Sequence, residues 1–167
     1  MKQTEPGNPS PGATGSAAPV IGRVVALAVK PAAGAAMREC DVLELETDGS
    51  VVGGAPASVK RGVTILSSQQ WETVQCELNA AIPWTARRAN VLIDCEKFSH
   101  LLGRRLCIGG AEVVVEGETR PCDEMDRQHP GLLKALVPEM RGGVHARVIR
   151  GGAVRTGDQV ALVSIFA

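Results

Sequence analysis

Short valine-rich runs, each cut off by a glycine pair, an Asp-Gly or a proline, constrain this chain more than any other feature. Val20–Lys30 (VIGRVVALAVK) reads as a first strand closed by Pro31, whose ring cannot donate to a sheet ladder. Cys40–Glu46 (CDVLELE) alternates apolar and acidic residues, the period of a half-buried strand, and runs into the hairpin signal Asp48-Gly49. Val59–Leu66, Val91–Asp94, Leu106–Ile108, Ala111–Glu116, Val144–Arg150 and Gln159–Ile165 read the same way, with Gly109-Gly110 joining two of them. Within Val144–Arg150, Val144, Ala146 and Val148 share one face, His145 and Arg147 the other. About eight short strands with turns between them predict a mostly β fold, a distorted or closed antiparallel-mixed β-barrel. There is no βαβ alternation and no phosphate-binding glycine motif. The remaining glycine pairs, 53–54, 142–143 and 151–152, read as turns and bulges of a curved sheet.

Two or three short helices complete the expectation. Ser67 is placed to cap a helix, with Gln70 as its capping-box partner and Leu66 and Trp71 as a hydrophobic staple. Trp71, Val74 and Leu78 recur at helical spacing, which makes Trp71 a core anchor rather than a ligand platform. Pro83 breaks this helix. A helical turn follows Cys122 until His129-Pro130-Gly131, and Leu132–Val137 is a short amphipathic helix stopped by Pro138. Residues 1–19 are rich in Pro, Gly, Ser and Ala and predict a disordered tail, leaving 20–167 as one domain with a full core.

Charge and composition exclude several functions. Eighteen basic and eighteen acidic residues cancel, so nothing pulls the chain toward nucleic acid or a membrane surface. Two Phe, two Trp and no Tyr leave few platforms on which bases can stack. No apolar run reaches membrane-spanning length, and Val24–Val29 is short for a signal-peptide core. Five cysteines, at 40, 76, 95, 107 and 122, form no C-x-x-C pair, which argues against a disulfide framework or a structural zinc. Reduced thiols in a cytoplasmic protein are expected.

The chemistry concentrates in Gly103–Arg127 (GRRLCIGGAEVVVEGETRPCDEMDR). Pro121 ends a strand and delivers Cys122 to a strand-to-helix junction, with Arg120 beside it. A thiol there can face a cleft, whereas Cys40, Cys76, Cys95 and Cys107 sit among apolar neighbours and are expected in the core. The thiolate is the reactive form. Arg120, with Arg88 and Arg141 brought across the barrel, favours it; Asp123, Glu124 and Asp126 oppose it. Arg61, Arg88 and Arg141 suit phosphate or carboxylate, which a guanidinium binds bidentately. Asn90 can donate and accept, and could also simply cap a turn. His145 faces either solvent or a pocket.

Several pieces in order resemble the MOSC domain, the C-terminal domain of molybdenum-cofactor sulfurases, also found alone in small bacterial proteins. Arg61–Ser67 with its helix is similar to the family's central strand and helix. Arg88-Ala-Asn90 is similar to its pocket-lining arginine-x-asparagine element. Leu106–Gly109, Glu112–Glu116 and Arg120-Pro-Cys122 resemble the segment that ends in its functional cysteine. Leu132–Leu136, Arg141–Val148 and the stretch from Gly151 to Asp158 resemble its C-terminal strands. One departure stands out: many members carry an aspartate and a histidine in the loop after the second strand, and Val52–Ser58 has neither.

The resemblance implies a protein that binds molybdenum cofactor with Cys122 on the metal, and that reduces N-hydroxylated compounds with electrons from a separate redox partner. It equally implies a sulfur carrier, in which Cys122 holds a persulfide received from a sulfur-donor protein. A degenerate domain that binds a small molecule without catalysis is the third implication. Arg88, Asn90, Arg120, Arg61, Arg141 and His145 are then the candidates for holding the cofactor. Pyridoxal phosphate belongs to the sulfurases' separate desulfurase domain and is not expected here.

Overall fold

The computed structural model describes residues 17–57, 59 and 61–164. Most of the predicted tail, residues 1–16, lies outside the described residues, as do Ser58, Lys60 and 165–167. The described residues form ten strands: β1 (Val20–Val29), β2 (Arg38–Cys40), β3 (Val42–Leu45), β4 (Val63–Ser67), β5 (Val91–Ile93), β6 (Arg105–Ile108), β7 (Ala111–Glu118), β8 (Val144–Arg150), β9 (Gly152–Arg155) and β10 (Gln159–Leu162). With them come helices α1 (Ser68–Leu78), α2 (Glu124–Gln128) and α3 (Leu132–Leu136), and 3-10 turns at Trp84–Arg87 and Pro138–Met140.

The protein is mostly β. Seven strands close a mixed barrel in the order β10-β6-β7-β8-β4-β5-β1, with β1 returning to β10. Strand β1 is long enough to meet three partners: its start pairs with β10, its middle with β5 and its end with β2, with bulges between. Closure removes the exposed edges that an open sheet would leave. Every barrel pairing is antiparallel except β4 with β5. A parallel pair needs a crossover, and α1 supplies it, so one βαβ unit exists where none was expected. The expected strand Cys40–Glu46 is broken at Asp41 into β2 and β3, and β3 pairs with β9, which the sequence reading did not separate from a turn.

Two apolar clusters form the interior. Val63, Ile65, Ile93, Leu106, Ile108, Val113, Val144, Ala146 and Val148 fill the barrel, so the predicted inward face of β8 is the observed one. Leu66, Trp71, Val74, Trp84, Met125 and Leu136 fill the layer between barrel and helices. Ser67 does cap α1, its hydroxyl accepting from Gln70 N at 3.2 Å, and Leu66 and Trp71 are both buried. Trp71 is anchored as expected, its Nε1 donating to Ile82 O at 3.0 Å. The reciprocal half of the capping box is not made. Ser67 is still the last residue of β4, in register with Ile93, and the Gln70 amide donates instead to Glu139 O at 2.9 Å.

The cysteines need a correction. Cys95 is buried, but Cys40 and Cys107 are only half-buried and Cys76 is exposed. In β6 the alternation turns Leu106 and Ile108 inward, which sends Cys107 out. On α1, Cys76 lies two residues past buried Val74, on the far side of the helix. No helix among the described residues is long and apolar enough to cross a membrane.

Candidate functional site

A cavity of about 800 Å³ opens beside the barrel where β4, the turn before β5, the end of β7 and the entry to β8 meet. Among the described residues its charged lining is Lys30, Arg61, Arg87 and Arg88, with no carboxylate. In a chain of zero formal net charge, that is a local concentration of positive charge, whose field favours anions. The opposite wall is small and apolar. Gly54, Ala55, Pro56 and Ala57 contribute to it, from the loop that lacks the aspartate and histidine. Ala55 N donates to Lys30 O at 2.6 Å, which holds that loop against the end of β1.

The cationic wall follows from local backbone. Pro83 opens the 3-10 turn Trp84–Arg87, and Arg88 ends it in the left-handed region (φ 63°, ψ 31°). Side chains three apart in a 3-10 turn lie over one another, so Arg87 follows Trp84 inward and is only 7% exposed. Its Nε donates to Gly142 O at 2.8 Å and its Nη2 to Thr119 O at 2.7 Å. Arg87 therefore clamps the end of β7 to the entry of β8. Burial pushes its pKa down from the ordinary guanidinium value, while the Cys122 sulfur and Glu118 push it back up and Arg61 opposes them. Gly142 and Gly143 are required at this junction. A Cβ on Gly142 would stand 2.6 Å from Thr119 O, and Gly143 takes φ +87°, where a Cβ would collide with Ile65 O.

Cys122 is exposed, three residues past Thr119 and just ahead of α2. Its carbonyl accepts from Met125 N at 2.8 Å, and buried Met125 pins that turn into the helical layer. The sulfur lies outside the cavity lining, joined to it through Thr119 and the field of Arg87.

The candidates named from the sequence separate into two groups. Arg61, Arg88 and Asn90 line the cavity. Asn90 is already engaged: its Oδ1 accepts from Thr64 N at 3.1 Å and Thr64 Oγ1 at 3.0 Å, and its Nδ2 donates to Ala28 O at 3.2 Å. Its amide thus stitches β4 to β1. Arg120 extends into solvent, its side chain 88% exposed and 3.9 Å from Glu118. Arg141 faces the helices, bonded to Glu77 at 2.8 Å and Ala135 O at 3.2 Å. His145 does not line the cavity. It stands beside Gly117 on the outer face of β8, opposite Thr64, and its Nδ1 is sealed from solvent with no hydrogen-bond partner among the described residues.

Arg87, Thr119 and Lys30 were not singled out from the sequence. The signal for Arg87 was its spacing three residues after Trp84 behind a proline, and it is visible only once that segment is read as a 3-10 turn. Among the described residues no three His, Cys, Asp or Glu side chains converge to hold a metal ion. A metal at this site would take Cys122 as its protein ligand and the rest of its shell from a cofactor.

Comparison with known proteins agrees on fold. The YUAD protein from Bacillus subtilis matches at a TM-score of 0.71 and 21% identity, over 87% of this chain and 97% of that one. YiiM from Geobacillus stearothermophilus matches at 0.66 and 16%, over 87% and 75% of the two chains, and YiiM from Escherichia coli at 0.64 and 16%, over 87% and 71%. No curated protein matches. The MOSC domain model matches residues 48–161, which hold β4 to β9 and most of β10, Arg61, Arg87 and Arg88 of the cationic wall, and Cys122. On that match, over more than half its length, the chain belongs to the MOSC domain family.

Proposed function

We propose that this protein binds molybdenum cofactor in the cationic cavity, with Cys122 as the metal's protein ligand, and that it reduces N-hydroxylated compounds. The single observation that carries the reading is the charge of the cavity's lining, among the described residues four cations and no carboxylate, on the wall from which the Cys122 loop is hung. The lining suits the organic part of such a cofactor: Arg61, Arg87, Arg88 and Lys30 would hold its anionic end, and the apolar wall would take its ring body. Bound there, the molybdenum centre supplies two-electron redox chemistry. Converting an N–OH group to N–H releases water and consumes two protons and two electrons, which a separate redox partner must deliver. The chain's own task is to bind the anionic end, keep the Cys122 loop in place and leave that thiol accessible.

A second reading is favoured by the position of Cys122 outside the cavity lining and by its exposure. In it, the Cys122 thiolate attacks the terminal sulfur of a donor protein's persulfide. The donor's S–S bond breaks, its thiolate leaves, and Cys122 carries the persulfide to a metal-sulfur or molybdenum centre.

Elemental analysis and intact mass of protein made in a molybdenum-replete host separate the two. Near-stoichiometric molybdenum and pterin, both lost in Cys122→Ala, is the expected result. No metal, with one added sulfur on Cys122, selects the carrier. Metal content, sulfur loading and reductase activity all unchanged in Cys122→Ala would sink both readings.

A further inference from the structure

We infer that Arg87 and Gly142 are positioning residues for Cys122: together they hold the Pro121 bend, and this stack, rather than the helix after it, fixes where the thiol stands. The inference rests on the reading that Cys122 is the working residue, but it needs no metal, persulfide or cavity ligand. Downstream of the thiol the hold is weak. Helix α2 is only five residues long, and Asp123 at its start gives it no side-chain cap. A helix that short is not stable by itself. Upstream the hold is firm. Thr119 N donates to Gly143 O at 2.9 Å while Thr119 O accepts from Arg87 Nη2 at 2.7 Å, so both backbone polar groups of Thr119 are bound. Arg87 Nε donates to Gly142 O at 2.8 Å. One planar guanidinium, a rigid fork, thereby sets the spacing between the segment that leads to Cys122 and the segment that enters β8.

Gly142 closes the stack. A Cβ there would meet Thr119 O at 2.6 Å, Pro121 Cδ at 3.3 Å and Arg87 Nη2 at 3.4 Å. The Pro121 ring therefore packs against the space that a side chain at 142 would take, one residue before the thiol. Gly142 is not in the left-handed region, so the requirement is for room and not for backbone freedom. Its own N–H donates to Leu136 O at 3.2 Å, which ties it to α3 from behind. A side chain at 142 must then displace the backbone of Thr119 and the Pro121 ring, and Cys122 with them. Because proline also fixes its own φ, little slack is left between Arg87 and the thiol. The Cys122 sulfur is close enough to feel the Arg87 charge, so stack and thiol are neighbours in space as well as in sequence.

The test reads the order of the thiol directly. Full-length protein with Cys40→Ser, Cys76→Ser and Cys107→Ser carries a nitroxide spin label on Cys122, and its line shape is recorded well below the melting temperature. The parent should show a motionally restricted component. Gly142→Ala and Arg87→Met should lose it in favour of a mobile one, and Pro121→Ala, which removes the ring contact and frees φ, should lose part of it. Arg88→Met takes a cation from the same wall but leaves both Arg87 bonds in place, and should change nothing. A companion protein labelled at exposed Cys76, with Cys122→Ser, should keep its line shape in every variant. That contrast separates positioning from a general loosening of the fold, which would move both labels. If Arg87→Met or Gly142→Ala does not fold, Pro121→Ala decides. A restricted label at 122 that survives in every folded variant, or an equal change at 76, overturns the inference. The readout involves neither molybdenum nor sulfur loading, so a Cys122 that is held in this way yet carries neither would leave the inference standing and sink the proposed function.

Discussion

Asn90→Ala asks whether the asparagine of the cavity wall is a ligand group or a structural stitch. The wild-type amide makes three hydrogen bonds, two from Thr64 to Oδ1 and one from Nδ2 to Ala28 O. At about 1 kcal/mol net for each bond, the loss is about 3 kcal/mol. The Thr64 N–H is partly buried and loses this acceptor, which keeps the figure from shrinking much through rehydration. For a chain of this size about 3 kcal/mol lowers Tm by roughly 6–12 °C, a change that calorimetry or urea unfolding resolves easily. Asn90→Asp refines the argument. Its carboxylate still accepts both Thr64 bonds but turns an oxygen toward Ala28 O, where the amide donated. It should lie between wild type and Asn90→Ala at neutral pH, and move toward wild type near pH 4, where a protonated carboxyl can donate again. An Asn90→Ala protein that melts within about 2 °C of wild type would refute the stitch, since the three bonds could then not carry the energy assigned to them.

Two further outcomes follow from the thiols. Iodoacetamide mapping of the native protein should label exposed Cys122 and Cys76 first and leave buried Cys95 for the unfolded chain; rapid native labelling of Cys95 would contradict the packing described. Burial pushes the Cys95 thiol from 9.0 up to about 12, so the fold holds it neutral. That contribution is complete below pH 9 and is lost as pH rises from 9 through about 12, because the unfolded thiol ionises first. Urea midpoints should fall across that window by less in Cys95→Ala than in wild type, and no tyrosine is present to obscure the difference; identical falls would remove Cys95 as a cause.

Much of the barrel is local information. Pro31, Gly109-Gly110, Asp48-Gly49 and Pro138 stop or turn the chain by their own backbone chemistry, and the alternation in β8 sorts Val144, Ala146 and Val148 from His145 and Arg147 before any partner strand is known. The MOSC resemblance was carried by the same kind of signal, short motifs in a fixed order. Long-range pairing was not. Strand β9 exists because β3 comes to lie beside it, a contact between segments about a hundred residues apart, and Gly152–Arg155 alone reads as a turn. The βαβ crossover was hidden because β4 and β5 are too short to announce a parallel pair.

The site divides along the same line. By itself the sequence placed Cys122 at the junction between a strand and a helix, because proline cannot donate to a sheet ladder; that the thiol is exposed and lies outside the cavity lining came from the fold. Only the tertiary structure decided which arginine lies near it. Arg120 is the neighbour in sequence but extends into solvent, and Arg141 is drawn to Glu77. Arg87 is buried against Thr119 and Gly142. Charge composition is fixed along the chain. Which charges are stripped of water depends on what packs around them, and that is settled only when β4, β7 and β8 are brought together.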